Sequence, residues 1–429
     1  MIFMLFCGIY LTVQTRGIIF TKFFFIISDT FKSFFRRKKS GVSPIAALSA
    51  ALAATVGTGN ITGTALAVSL GGPGAVFWMW ISALFGMVIK YSEVALAVHH
   101  RVRLSDKSYR GGPMYYIKNK KAACLFCIAA VLSSFGTGNT VQANSLAAAL
   151  YSSFGTAKWI SGILLTFAVG AVLMGGAKRI FSAAEILVPF MALFYLVSSA
   201  AVLFINRANL ADSFCMIFRY AFSPSAPIGG FSGAALSYTI RIGLARGLFT
   251  NEAGLGSAPI AHAAADCDHA ARQGLYGAFE VFFDTIIMCG VTALVILSSG
   301  VWTKNCDTAA LSAFENAFCG GGKLVSSGLA LFAFAAVIAW YYYGEQCVEY
   351  AFGRGKIPVY RVLYTSACFF GCVADINAVW GISDSLNAVM ALPNLAALIF
   401  LAPEIREITA DFFEKKQKKS IPPKDRTDF

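Results

Sequence analysis

Apolar residues in this chain arrive in long blocks separated by glycine, proline and clusters of charge. The blocks predict ten long helical segments, at about 44–70, 75–99, 123–150, 158–174, 180–205, 229–265, 273–299, 324–352, 359–379 and 381–402. One membrane-spanning helix needs roughly 20 mainly apolar residues, and the segments are of that order. A shorter apolar stretch over residues 1–14 has no small-residue cleavage site after it, which favours a peripheral helix over a secretion signal. Beyond it, Phe23, Phe24, Phe25, Phe31, Phe34 and Phe35 interleave with Lys22 and Lys32, a pattern suited to a helix lying on a membrane surface.

Composition narrows the class. Of 429 residues, 57% are hydrophobic and only 13% charged, where a soluble chain carries about 25% charge. Most side chains must face something other than water, which excludes a disordered chain and a soluble enzyme and leaves an all-α, polytopic membrane protein. The net charge of +13 then reads as loop asymmetry. If the segments alternate and Arg36-Arg37-Lys38-Lys39 is inside, 23 Lys and Arg lie in inner loops and tail, and five (Lys158, Arg207, Arg219, Lys304, Lys323) lie outside. The positive-inside rule therefore places both ends of the core, and the C-terminus, in the cytoplasm. The charge needs no nucleic acid to explain it.

Ten segments with both ends on one side are what two five-helix halves of inverted orientation give, and such a repeat breaks the first helix of each half at matching places. The chain divides accordingly into a peripheral helix with an amphipathic basic segment (1–40), two repeats (41–205 and 206–402) and a basic tail (403–429). Segments one and six are the most glycine-interrupted. They read Ala54-Thr-Val-Gly57-Thr58-Gly59-Asn60-Ile-Thr-Gly63-Thr64 and Arg246-Gly247-Leu-Phe249-Thr-Asn251-Glu252-Ala-Gly254-Leu-Gly256-Ser257.

Mid-helix glycine costs about 1 kcal/mol relative to alanine, and an opened helix at membrane depth survives only where it lines a polar cavity or is buried by protein. Freed N–H groups there favour a carboxylate, and freed carbonyls favour a small cation. A zwitterionic amino acid with a cation would satisfy both. The alternative use of Gly57, Gly59 and Gly63 is close helix packing.

Segment three repeats the Gly-Thr-Gly-Asn tetrapeptide at Gly136 to Asn139 and adds Gln142 and Asn144. Buried amides without partners cost several kcal/mol, so these face polar groups, either a substrate or neighbouring helices. In segment eight, Trp340 is placed to wall a pocket, while Tyr341, Tyr342 and Tyr343 read as an interfacial aromatic belt. Ionisable residues within segments mark function or packing ties: Lys90, Glu93, Glu185, Arg241, Arg246, Glu252, Asp284, Glu345, Asp375 and Asp384, with Arg246 pairing Glu252 or Asp284 as one such tie. The 11 cysteines show no zinc spacing; Cys306 and Cys319 share a loop, where an oxidising compartment would permit a disulfide.

At these motifs the sequence resembles the alanine or glycine:cation symporter family, the sodium:alanine symporters. The resemblance runs from Ala47 to Glu93, including Gly71-Gly72-Pro73-Gly74, through Gly111-Gly112-Pro113-Met114-Tyr115-Tyr116, Gln142-Ala143-Asn144-Ser145 and Arg246 to Pro259. Gln273-Gly274, Asp284-Thr285, Trp340, Tyr343-Gly344 and Ala391-Leu392-Pro393-Asn394 complete it. It implies a leucine-transporter-type 5+5 inverted repeat and a central site between segments one, three, six and eight. The site residues it implies are Thr58, Gly59, Asn60, Gln142, Phe249, Asn251 and Trp340. Backbone N–H groups near Gly59 and Asn60 would take the substrate carboxylate, Gln142 and Asn251 would orient it, and Phe249 and Trp340 would limit its size. Carbonyls of Gly57 and Thr58 would serve as Na⁺ ligands. Where that family places hydroxyls on the eighth helix, this chain has Ala335 and Ala336, which leaves weaker sodium binding or a proton in its place.

These readings converge on a secondary carrier in the plasma (bacterial inner) membrane. It would import alanine or glycine with Na⁺; H⁺ coupling, or glutamine or another neutral amino acid, are the alternatives. Its partners are the amino acid, the coupling cation and the bilayer; no cofactor is needed. A channel would share the broken helices but conduct without alternating access. For an enzyme or nucleotide-driven pump neither a phosphate-loop nor a His-Glu-x-x-His motif is present, and His99, His100, His262 and His269 fall at inner ends where water is expected.

Overall fold

The computed structural model describes residues 2–34, 41–105, 107–223, 232–303, 308–374 and 376–420. Phe35, the cluster Arg36 to Lys39, Lys304, Cys306 and Asp375 lie outside the described residues, as does the side chain of Asp384. The Cys306–Cys319 pairing therefore falls outside them too.

Ten core helices follow in the expected order. Helix one is Pro44–Thr55 with Thr64–Gly71, helix two Gly74–His99, helix three Lys120–Phe154, helix four Lys158–Leu173 and helix five Gly176–Ile205. Helix six is Ser232–Asn251 with Ala258–His262, helix seven Ala270–Ser298, helix eight Gly321–Phe352, helix nine Ile357–Val373 and helix ten Ile376–Phe400. Helix nine thus stops six residues before the expected 379, and helix ten begins five before 381. A lone Asp375 with Asn377 is all that interrupts the apolar run here, too little for hydropathy to place the turn.

Five of these helices (two, three, five, seven and eight) are long and apolar enough to cross a membrane unaided. Two bent pairs raise that to seven: the halves of helix one, 50° apart, and Ser385–Phe400 with Ala402–Lys415, 64° apart. Helices four and nine have only 16 and 17 residues, and helix six is cut in two and carries Arg241 and Arg246.

Packing sorts the helices into two groups. Helix two lies chiefly against helices six and seven, while helix three lies against eight and ten, and four against nine; helix five bridges the inner half of helix one and helix eight. This is the all-α inverted-repeat architecture of leucine-transporter type. At the amino terminus, helix Ile2–Gln14 buries Cys7 and Leu11, and a methyl added at Gly8 would come within 2.7 Å of Phe85 on helix two. The aromatic stretch that follows forms Ile18–Thr21 and Phe23–Phe34.

Helix eight is buried on every side from Ala335 to Val348, and this corrects the interfacial-belt reading of its tyrosines. Tyr341, Tyr342 and Tyr343 are at most 2% exposed. They pack on Tyr360, Phe181 and Trp340, with ring centroids 5.0–5.5 Å apart.

The contact of helices two and six is close because Gly243 and Gly247 lie flat on helix two, where an added methyl would overlap Ala75 O and Ser82 Oγ. Overpacking such a contact costs about 1–3 kcal/mol. Gly247→Val is accordingly expected to lower the melting temperature of the detergent-solubilised protein, whereas Gly355→Ala, with open space around it and no left-handed backbone, should leave it within a degree or two; equal melting of the two variants would contradict this packing.

Candidate functional site

Both glycine-interrupted helices open where the sequence places the interruptions. In helix one the α-helix stops at Thr55 and resumes through a widened turn, Gly59–Gly63. In helix six the α-helix ends at Asn251. The chain then runs through Glu252, Gly254 and Gly256, all with positive φ (52°, 85° and 79°), before helix resumes at Ala258. Left-handed backbone is cheap for the two glycines and strained for Glu252. The openings face one another: a methyl on Gly59 would lie 3.1 Å from Thr250 Cγ2 and 3.6 Å from the Phe249 ring.

Backbone groups released at a break need partners in a medium without water, and neighbouring helices supply them. At the first opening, Gln142 Oε1 of helix three accepts from the Thr58 N–H (3.2 Å) and the Thr58 hydroxyl (2.9 Å). Asn60 Oδ1 accepts from the Gly57 N–H at 2.9 Å, and Asn60 Nδ2 donates to Asp284 Oδ1 at 2.7 Å. At the second, Asn251 Oδ1 accepts from the Ala253 N–H at 3.0 Å while its Nδ2 donates to Thr285 Oγ1 at 3.3 Å. Asn394 of helix ten donates to Gly254 O at 2.9 Å and also to Glu93.

Two further helices carry widened turns beside these openings, Gly136–Thr140 in helix three and Phe282–Cys289 in helix seven. The first brings Gly138 so close to Trp340 that an added methyl would overlap the indole. Trp340 is fully buried, and its indole N–H donates to Glu252 Oε1 at 2.9 Å, while Ser257 Oγ donates to Glu252 Oε2 at 2.6 Å. Helix eight meets the first opening with alanine: Ala336 Cβ would be 3.5 Å from a methyl at Gly57.

The second widened turn presents Asp284, fully buried. It accepts from Asn60 and, through Oδ2, from Thr285 Oγ1 at 2.8 Å. Among the described residues no lysine, arginine or histidine stands within ion-pair distance of it. A carboxylate with two amide and hydroxyl donors and no counter-charge is a place that favours a cation or a proton. The expected tie of Arg246 to Glu252 or Asp284 is not made, because both acids take other partners; the Arg246 guanidinium lies 5.9 Å from the Phe249 ring centre.

All seven residues expected to form the site border the two openings. Thr58, Asn60, Asn251 and Trp340 are wholly buried, Gln142 nearly so, and Phe249 partly. Sequence reading overlooked Glu280, one turn before Asp284, which pairs with Lys90 at 3.5 Å and His262 at 3.0 Å. Its i, i+4 spacing from Asp284 was a usable signal. The solvated reading of His262 is corrected: it is fully buried, because the inner half of helix six is tucked beneath helices two and seven. Its Nδ1 accepts from Gln273 Nε2 at 2.8 Å.

Comparison with known proteins bears on this arrangement. The model of the sodium:alanine symporter family matches residues 1–426. A sodium/alanine symporter, AgcS, from Methanococcus maripaludis is 41% identical over 393 residues, covering 88% of this chain and 86% of that protein. A probable sodium/glutamine symporter, GlnT, from Bacillus subtilis is 37% identical, covering 89% and 80%. Among solved structures, MhsT in complex with L-phenylalanine aligns with a TM-score of 0.60 at 15% identity, covering 87% of this chain and 99% of MhsT. A manganese transporter from Eremococcus coleocola aligns with a TM-score of 0.53 at 15% identity, covering 86% and 76%; both likenesses concern the fold.

Glu252 holds a strained backbone in exchange for two buried hydrogen bonds, and a buried donor left without its acceptor costs about 1–3 kcal/mol. Glu252→Ala is expected to destabilise the folded protein by a few kcal/mol in thermal unfolding, and Ser257→Ala, which removes only one donor, by less. Equal stability of Glu252→Ala and the parent would show that these bonds are not made.

Proposed function

This chain belongs to the sodium:alanine symporter family, a family of multi-pass membrane carriers and not of enzymes, and from that membership we propose that it imports alanine or glycine with Na⁺ across the bacterial inner membrane by alternating access. The observation that carries the reading is the meeting of two broken helices, Thr58 to Asn60 against Phe249 to Gly256, in the middle of an otherwise apolar bundle. Peptide groups near Gly59 and Asn60 receive the substrate carboxylate. Gln142 and Asn251, which already bond to the two openings, set its orientation, and Phe249 with Trp340 restricts the side chain to hydrogen or methyl. The chain's two repeats, 41–205 and 206–402, move against each other around this point, with both ends of the core and the C-terminus in the cytoplasm.

For the cation, two places are supported. The Gly57 and Thr58 carbonyls lie at the first opening, but helix eight offers them only Ala335 and Ala336, which carry no side-chain oxygen. Asp284 supplies a carboxyl group beside Asn60, Thr250 and Thr285, with Thr250 Oγ1 and Thr285 Oγ1 3.4 Å apart. Asp284 is therefore the favoured centre of charge compensation, with Na⁺ as the ion. The alanines of helix eight favour the second reading, in which a proton replaces it. A glutamine substrate, as in the name of the probable sodium/glutamine symporter GlnT, requires a larger pocket than one walled by Phe249 and Trp340.

Radiolabelled uptake into proteoliposomes, with sodium and pH gradients imposed separately, tests this. Alanine or glycine uptake is expected to be saturable and stimulated at least tenfold by an inward Na⁺ gradient. Gln142→Ala, Asn251→Ala and Asp284→Asn should each abolish saturable uptake while protein still reaches the membrane. Stimulation by the pH gradient alone would assign the proton, and normal uptake by Gln142→Ala or Asn251→Ala would remove those residues from the site.

A further inference from the structure

We infer that Arg101 is the positioning residue that keeps the cytoplasmic gate shut, by gripping the carbonyl end of the inner half of helix six; this rests on the alternating-access reading above. The inner halves of the two broken helices converge at one end of the molecule. Val42 and Ala265 pair as a short parallel bridge, the Asp266 N–H donates to Val42 O at 2.8 Å, and Gln273 Nε2 donates to Pro44 O at 3.3 Å and to His262 at 2.8 Å. These contacts join the inner halves of helices one and six at that end.

Carbonyls at and just past the end of a helix lack N–H partners and favour a cation, and here they are Ala263 O at the C-cap and Ala265 O in the bridge that follows. Arg101, just past the end of helix two, provides the cation. Its guanidinium donates to Ala265 O and to Ala263 O (3.5 Å), with Cys267 Sγ at 3.7 Å. The ring of Tyr109 lies 3.9 Å from the guanidinium carbon and holds it in place by a cation–π contact.

Tyr109 belongs to the antiparallel hairpin Val102–Arg103 and Tyr109–Arg110. The next residue in that strand, Arg110, pairs with Glu349 at the end of helix eight at 3.6 Å. One end of the hairpin is therefore fastened to helix six and the other to helix eight, which lie in different packing groups. The seal between hairpin and helix is tight: a methyl at Gly111 would stand 2.6 Å from Ala263 Cβ and 2.7 Å from Ala97 O. Helix six cannot swing away from the hairpin without giving up the charge-assisted bonds from Arg101, and among the described residues no other hairpin cation is bonded to these carbonyls.

Two thiols report the opening. The full-length protein in inside-out membrane vesicles, with Cys124, Cys215, Cys306 and Cys319 replaced by serine, retains Cys267 at the gate. A second version places a thiol at Ala50, buried on the inner half of helix one and not a contact of Arg101, by Ala50→Cys. Labelling with a membrane-impermeant maleimide is expected to quicken at least fivefold at both thiols in Arg101→Ala and in Gly111→Ala, with Arg101→Lys between Arg101→Ala and the parent. Faster labelling at Cys267 alone would mean that Arg101 merely covers that thiol, and unchanged labelling at Ala50→Cys in both variants would equally overturn the inference. Quickened labelling at both thiols in a protein that shows no amino-acid uptake would uphold the latch and sink the carrier reading; normal uptake with no change at either thiol would do the reverse.

Discussion

Inside a bilayer no water is available to repair a broken helix, and each peptide group released there must find a partner within the protein. The rest of this structure follows from meeting that demand at two places. Gln142 is brought in from helix three, Asn60 folds back on its own turn, Asn251 takes the Ala253 N–H released just past the end of the outer half of helix six, and Asn394 reaches across from helix ten. Each is an amide, a group that donates and accepts at once and so can join two backbone segments without adding charge. The openings are consequently rigid features held from four directions.

Charge is handled differently. Lys90 and His262 gather on Glu280, and Glu252 is satisfied by neutral donors from Trp340 and Ser257. Asp284 has donors but no counter-charge among the described residues, and it touches the first opening directly through Asn60. Glu93 and Glu252 likewise have neutral donors and no ion-pair partner among the described residues, so what sets Asp284 apart is its place directly beside the first opening.

Much of the fold was legible because it is written in composition. Glycine clusters at Gly57–Gly63 and Gly247–Gly256 mark both openings, and charge clusters mark the turns. The segments were found to within a few residues wherever glycine, proline or clustered charge punctuates them, and were misplaced at Val373–Ile376, where a lone Asp375 is the only charge marking the turn. Partner choice was less legible. Hydropathy says that Tyr341 to Tyr343 lie near a segment end, but only packing shows that helix eight is surrounded there; likewise a histidine at an inner end looks wet until helices two and seven are seen to cover it. Of the candidate site, residue identities were readable from the amides and glycines, whereas the bond from Trp340 to Glu252 depends on a left-handed residue that no local pattern announces.

The widened turns in helices one, three and seven carry a consequence for how these helices tolerate change. A turn with one extra residue rotates everything beyond it by about 100° relative to an uninterrupted α-helix. The stripe of positions facing protein before Gly136 or Phe282 is thus continued, past Thr140 or Cys289, by a different set of residues. Mutational sensitivity along helix three or helix seven would trace two stripes out of phase, with the offset falling beside the openings rather than at either membrane surface.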